Sequence, residues 1–188
     1  MNIFYSRETK DWMLNSRKPH TIGGSKRELI SLKKAASHEG IPFQLLVKDQ
    51  HVGPLIGIMT SKSNTSLVGN RPLFIQIQKE LIKREALSFV FSYEDVLDNG
   101  WLYGYIFLPS QKEWLKAKIP YPDLVYNRIP FRKAEESTLF HSCIAHFHDF
   151  HIPIFNPGFI DKYQLFQISN RNDTIKSFLP ETTLIDSA

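Results

Sequence analysis

The stretch from Pro54 to Ser92 limits what this chain can fold into more than any other part of it. PLIGIMTS, beginning at Pro54, and LSFVFS, ending at Ser92, are short continuous apolar runs. Runs of that kind are expected of strands buried on both faces. Between them comes the polar, Gly/Asn-rich loop SKSNTSLVGNRP, whose Pro72 suits the first turn of a helix. Leu73, Phe74, Ile77 and Leu81 then follow the spacing of an amphipathic helix running to about Glu85. Strand, loop, helix and strand in that order predict a parallel sheet with helices on its faces, an α/β fold.

The pattern continues down the chain. Asp98-Asn99-Gly100 reads as a turn, WLYGYIFLP as a third strand with antiparallel partners, and KEWLKAKIPYP as an edge strand. DLVYN is a further short buried strand. A helix over about Lys133 to Asp149 would place Phe140, Cys143, Ile144 and Phe147 on its core face. IPIFN reads as a strand, Asn156-Pro157-Gly158 as a turn, and residues 161–169 as a helix. The first fifty residues fit two descriptions. A helix from about Lys26 to His38, with Leu29, Leu32, Ala35 and Ala36 on one side, would stop at Gly40 ahead of a strand IPFQLLV. The Gly-Gly pair and scattered charges of this segment equally suit a small β unit.

Composition narrows the class. With 42% hydrophobic and 13% aromatic residues, the 188-residue chain can bury a real core. A single cysteine, Cys143, rules out an intramolecular disulfide framework and fits a reducing compartment. The start, MNIFYSRETKDW, has charges where a signal peptide would be apolar, and no run approaches the ~20 apolar residues that cross a bilayer. The expectation is a soluble cytoplasmic protein without a membrane partner. Residues 1–48 hold nine Lys/Arg and four Asp/Glu, while the other 140 hold fourteen and fifteen. That basic front could meet phosphate or an acidic surface, or be a solvated face. No RNP aromatic motif or Cys/His finger accompanies it, which argues against nucleic acid.

In open parallel sheets, ligands sit beyond the carboxyl ends of the strands. That rule brings the loop after Thr60, the Tyr126-Asn127-Arg128 segment and the Asn156 turn to one rim. Arg128 and Arg132 offer planar donor forks for carboxylate or phosphate, and Asn127 and Asn156 add neutral amides. The competing reading is an arginine paired with Glu135 or Glu136 and an Asn closing a turn. Asp161-Lys162 is either an N-cap with its neighbour or a lysine placed for an anion at a helix start. The histidines of HSCIAHFHDFH do not converge as metal ligands must, and they read as a polar helix face; no metal residues are assigned. Gly23-Gly24-Ser25-Lys26 lacks the full phosphate-loop spacing and reads as a turn. No nucleophile triad or metal motif is present, so the catalytic residues stay unknown.

PLIGIMTS, PDLVYNRIPFRKAE, IPIFNPGFIDKYQLF and FLPETT, in that order, resemble the YheC/YheD family, ATP-grasp proteins of spore-forming bacteria described as endospore coat-associated. The resemblance runs from about Pro54 to Thr183, and YNRIP-x-R with FNP-x-F-x-DK is its most specific part. It implies a small basic N-terminal segment (1–52), a Rossmann-like pre-ATP-grasp domain (53–158) and the beginning of an ATP-grasp lobe (159–188). It also implies an ATP- and Mg²⁺-dependent, carboxylate–amine or carboxylate–thiol ligase-like activity in the complete protein. Lys162 would approach the ATP phosphates with Asp161 as its cap, and Thr182 would start the strand leading into the nucleotide-binding lobe. Asn127, Arg128, Arg132 and Asn156 would form the platform for an unidentified carboxylate substrate. The later family elements, including the second phosphate-contacting lysine and the Mg²⁺ ligands, do not occur before Ala188. These residues alone are therefore expected neither to hold ATP tightly nor to turn over. The alternative is a non-catalytic scaffold meeting spore-coat proteins. Phe159, Leu165 and Phe166 are expected to form an apolar patch that favours self-association.

Overall fold

A computed structural model describes residues 1–31, 40–63 and 66–183. Both apolar runs are strands. Strand β1 (Leu55–Thr60) buries five of its six residues, and β2 (Leu87–Ser92) buries all six. Helix α1 (Arg71–Ile82) joins them, and the two strands pair in parallel from Leu55↔Leu87 to Thr60↔Ser92. The Asn70 side chain accepts from Leu73 N at 3.1 Å and Pro72 sits in the first turn, so the helix begins where its chemistry says it should. It ends three residues earlier than expected. Glu85 takes a left-handed φ of 54°, and Ala86 N returns to Leu81 O at 3.0 Å, steering the chain into β2.

The sheet is completed by β3 (Trp101–Leu108), β4 (Glu113–Pro120), β5 (Leu124–Asn127) and β6 (Ile154–Phe155), in the order β4-β3-β2-β1-β5-β6. β5 pairs in parallel with β1 and with β6, while β3 and β4 add an antiparallel hairpin that makes β4 an edge. Helix α2 (Thr138–Asp149) links β5 to β6. The expected helix from Lys133 is broken: Arg132–Glu136 is a 3-10 turn, and Ser137, in extended conformation, caps α2 by accepting from Phe140 N at 3.2 Å. A serine hydroxyl competes with helix continuation in this way.

The period of two along each strand sends neighbours to opposite faces. Ile58 and Val90 meet Phe74 of α1 on one face. Met59 and Phe91 meet Cys143 and Phe147 of α2 on the other, with the rings of Phe91 and Phe147 edge-on at 5.9 Å. Fully burying one such phenyl ring contributes about 1.5–3 kcal/mol.

The expected helix over Lys26–His38 is corrected over its described residues, Lys26–Ser31. Arg27–Glu28 and Ile30–Ser31 are short strands, and the remainder of that segment lies outside the described residues. Lys26 has a φ of 49°, and Leu29, between the two strands, is buried by tertiary packing. Over the described residues the small β unit is the reading that holds. IPFQLLV forms two strands, Ile41–Gln44 and Leu46–Lys48, in two different small sheets with buried Leu45 between them. Ile3, Tyr5, Trp12, Ile22 and Leu45 share one continuous core with Leu55, Phe89 and Ile106. Residues Met1–Pro157 accordingly make one compact unit, and a second begins at Gly158. The second contains α3 (Lys162–Ser169) and α4 (Asp173–Lys176). In it Leu165, Ile168 and Phe178 are exposed, and Phe166 is half-buried. Thr182 lies in no strand among the described residues; its hydroxyl donates to Pro180 O at 3.0 Å.

Candidate functional site

Connections from β1 and β5 leave in opposite directions across the sheet, to β2 through α1 and to β6 through α2. Crevices form at the carboxyl ends of strands where the order switches in this way. Four chain segments meet that rim: Ser61 onward, Tyr93–Asp95, Asn127–Arg132 and Asn156.

Asn127 is the best-fixed of the predicted site residues. It is only 2% exposed, and its Oδ1 accepts from Ile129 N at 3.0 Å while its Nδ2 donates to Glu135 at 2.7 Å. Its carbonyl accepts from Asn156 Nδ2 at 3.2 Å. Arg128 N then donates to Met59 O at 2.8 Å and ties the turn to β1. Asn127 thus closes the turn that positions its neighbours, and its side-chain amide is spent inside the protein. Asn156 holds a left-handed φ of 58°, a conformation Asn tolerates better than most residues, and uses its amide to tie β6 to β5.

The arginines are placed differently. Arg128 is exposed and lies over the Tyr126 ring at 5.6 Å, and Tyr126 in turn packs on Phe155 at 5.4 Å. Arg132 is exposed at the start of the 3-10 turn. Neither guanidinium has a carboxylate within ion-pair distance among the described residues, and Glu135 accepts from Asn127 Nδ2. The rim therefore presents two unsatisfied planar donor forks, suited to a carboxylate or a phosphate.

Asp161 is the N-cap of α3, accepting from Gln164 N at 2.8 Å, and Lys162 follows it as an exposed first helical residue without an ion pair among the described residues. Both readings of that pair thus keep their chemistry: the aspartate caps, and the lysine is available to an anion.

Other rim residues drew no attention in the sequence. Lys62 pairs with Asp95, both side chains largely buried, and Asp95 Oδ2 and Ser61 Oγ are buried without a hydrogen-bond partner among the described residues. Lys62 falls in a loop that reads only as polar, and Asp95 between the strand LSFVFS and the Asp98-Asn99-Gly100 turn, where the sequence carries no motif. At the opposite end of the strands, His51 Nε2 lies 2.9 Å from Asp123 Oδ1, while the other oxygen of Asp123 accepts from Leu55 N at 2.7 Å. This bracket holds the starts of β1 and β5 together.

Gly23 and Gly24 form a turn pressed against the chain after β4. Gly24 N donates to Tyr121 O at 2.8 Å, and a Cβ on Gly23 would stand 2.4 Å from that same oxygen. Close backbone approach, not phosphate, explains these glycines. Among the described residues no group of three or more His, Cys, Asp or Glu is arranged to hold a metal. His146 pairs with Asp98 at 3.1 Å, and Cys143 is buried beside the Met59 sulfur, where desolvation pushes its thiol up to about 12. No helix among the described residues is long and apolar enough to cross a membrane.

No family model matches the chain, and no solved structure matches it. A curated relative does. Over 151 residues, 76% of this chain, it is 30% identical to the endospore coat-associated protein YheD of Bacillus subtilis (strain 168). The chain is related to the YheC/YheD family. It spans about a third of the length of that YheD relative, 33%. The YheC/YheD resemblance read from YNRIP-x-R and FNP-x-F-x-DK thus falls on two places whose geometry differs. The first is a rigid turn at the switch point, and the second is a capped helix start in the unit beginning at Gly158.

Proposed function

We propose that this chain is part of a spore coat-associated protein in which residues 53–158 act as a Rossmann-like, pre-ATP-grasp substrate platform. Arg128 and Arg132 bind the carboxylate of the substrate, and Asn127 and Asn156 hold the turn that aims them. The observation that carries this reading is the pair of exposed guanidiniums without carboxylate partners among the described residues, beside a locked, buried Asn127. Lys162 supplies one phosphate contact to ATP in the complete protein.

The described residues fit only a small part of an ATP·Mg²⁺ site. They offer cationic donors but no set of metal ligands, and Lys62, the one largely buried lysine at the rim, is already paired with Asp95. When bound, ATP and Mg²⁺ would activate a carboxylate toward an amine or a thiol. This chain's own residues do less: they bind and orient an anion, so that its carboxylate is held by one unit while another holds nucleotide.

A second reading is favoured by the name of the YheD relative, which speaks of coat association and not of catalysis. Here the same platform serves a non-catalytic scaffold. Calorimetry with ATP·Mg²⁺ and a panel of dicarboxylates, on this chain and on a form extended to the length of the relative, separates the two. ATP binding by the extended form alone, with Arg128→Ala weakening dicarboxylate binding and sparing ATP, supports the substrate platform. Equal loss of both ligands in Arg128→Ala refutes the platform role, and absence of nucleotide binding in both forms favours the scaffold.

A further inference from the structure

Far from the rim, the free edge of the sheet carries a second site. The edge strand β4 and the N-terminal strand Asn2–Tyr5 flank a groove of about 520 Å³, lined by Tyr5, Arg7, Lys10, Tyr103, Lys116 and Lys118. Among the described residues that line it, the one carboxylate is Glu113, which pairs with Arg7. Lys10, Lys116 and Lys118 have no carboxylate partner among the described residues. Lys116 Nζ instead lies 5.5 Å from the Tyr103 ring and 5.9 Å from the Tyr105 ring, and Lys118 Nζ lies 4.9 Å from the Trp101 ring.

The main chain of this edge is half covered. Lys118 N donates to Tyr5 Oη at 3.2 Å, and Lys118 O accepts from Trp12 Nε1 at 2.9 Å. By the alternation of a strand, Lys116 and Trp114 turn their N–H and C=O groups the same way. Phe107 N, opposite Trp114 in the register, donates away from β4 to Gln78, as that alternation requires. No hydrogen bond among the described residues takes the outward main-chain groups of Lys116 or Trp114. An unpaired strand edge is a template for another strand.

We propose that this groove binds an extended acidic peptide segment of a partner protein, which adds a strand beside Trp114–Lys116 and sets its carboxylates against Lys10, Lys116 and Lys118. The lysines that guard such an edge against neutral and basic strands are what select an acidic one. Single-stranded nucleic acid fits less well. It needs bare ring faces for base stacking, and here the Tyr103, Tyr105 and Trp101 rings already face lysines.

Fluorescence anisotropy on the 188-residue chain tests this with a labelled peptide of alternating glutamate and valine. Saturable binding is expected. N-methylation of alternate peptide residues should weaken it about tenfold, the size of one or two lost main-chain hydrogen bonds. Lys116→Glu should also weaken it about tenfold; its side chain is exposed, and circular dichroism verifies that the variant keeps its fold. Absence of binding, an N-methylated peptide that binds as tightly as the parent, an unaffected Lys116→Glu, or displacement of the peptide by an equal concentration of oligothymidylate each overturns the proposal.

Discussion

Replacing Asn127 by Ala asks whether the amide at the rim belongs to the fold or to the ligand. The side chain is 2% exposed and makes two hydrogen bonds, to Ile129 N at 3.0 Å and to Glu135 at 2.7 Å. Truncation leaves the Ile129 N–H buried without an acceptor, which costs about 1–3 kcal/mol. Glu135 is half-buried, so water recovers part of what it loses, and its share is about 1 kcal/mol. The sum is about 2–4 kcal/mol, a large fraction of the ~5–15 kcal/mol that holds a domain folded. With a urea slope near 2 kcal/mol per molar, the unfolding midpoint should fall by about 1–2 M. Arg128→Ala is the internal control. That side chain is exposed and loses only its stacking on Tyr126, about 0.5–1 kcal/mol. Urea denaturation followed by circular dichroism measures both. A midpoint shift for Asn127→Ala no larger than that for Arg128→Ala would refute the assignment of Asn127 to the scaffold and return it to the ligand-binding face.

Further outcomes are expected elsewhere in the molecule. Burial raises the Cys143 thiol to about 12 from its ordinary 9.0. Folding therefore disfavours the thiolate: the thiol's contribution to stability is present in full below about pH 9 and is lost as pH climbs toward about 12. In the native protein the thiol should resist a disulfide reagent at neutral pH and react only after denaturation; rapid native labelling would contradict the packing of α2 on β1. Gly23→Ala places a methyl 2.4 Å from Tyr121 O at a φ of 70°, so it should destabilise by more than 2 kcal/mol, on the order of a core truncation, in a thermal melt. Asp161→Ala removes the hydrogen bond to Gln164 N and should lower the stability of α3 by about 1 kcal/mol, read as faster amide exchange at Gln164 while the six-stranded sheet is unaffected.

The parallel part of the fold was legible because its signals are local and long. Six-residue apolar strands flanking a capped twelve-residue helix repeat the same message at every position. The first fifty residues gave no such message. Their strands are two to four residues long, and their partners lie far along the chain, as in Ile3↔Phe43 or Thr21↔His51. Leu29 and Leu32 have helical spacing, yet Leu29 is buried between two short strands. Tertiary pairing overrides a weak local preference in such a segment. The break before α2 was also missed, since a capping serine resembles any polar helix residue until its conformation is known.

At the site, the sequence brought the right residues together without dividing their labour. Asn127 ends β5 and Arg128 follows it, still tied to β1 through its N–H and Met59 O, so the alternation of the strand carries on to both. The short amide turned inward, where Ile129 N and Glu135 complete its hydrogen bonds, and the long guanidinium turned outward over Tyr126. Alternation dictates that split, but it does not say which residue falls on the inner side; the burial of Val125 two positions before Asn127 decides it. The same rule separates the two anion-facing surfaces of the molecule. At the rim, Arg128 and Arg132 stand on a turn braced from within by the buried Asn127 amide. On the β4 edge, Lys116 and Lys118 stand on alternate residues whose main chain also points outward. A ligand at the rim can meet side chains alone, whereas a ligand at the edge can meet side chains and backbone together. Only the edge site should therefore lose affinity when a peptide ligand is N-methylated, and only the rim should lose it in Arg128→Ala.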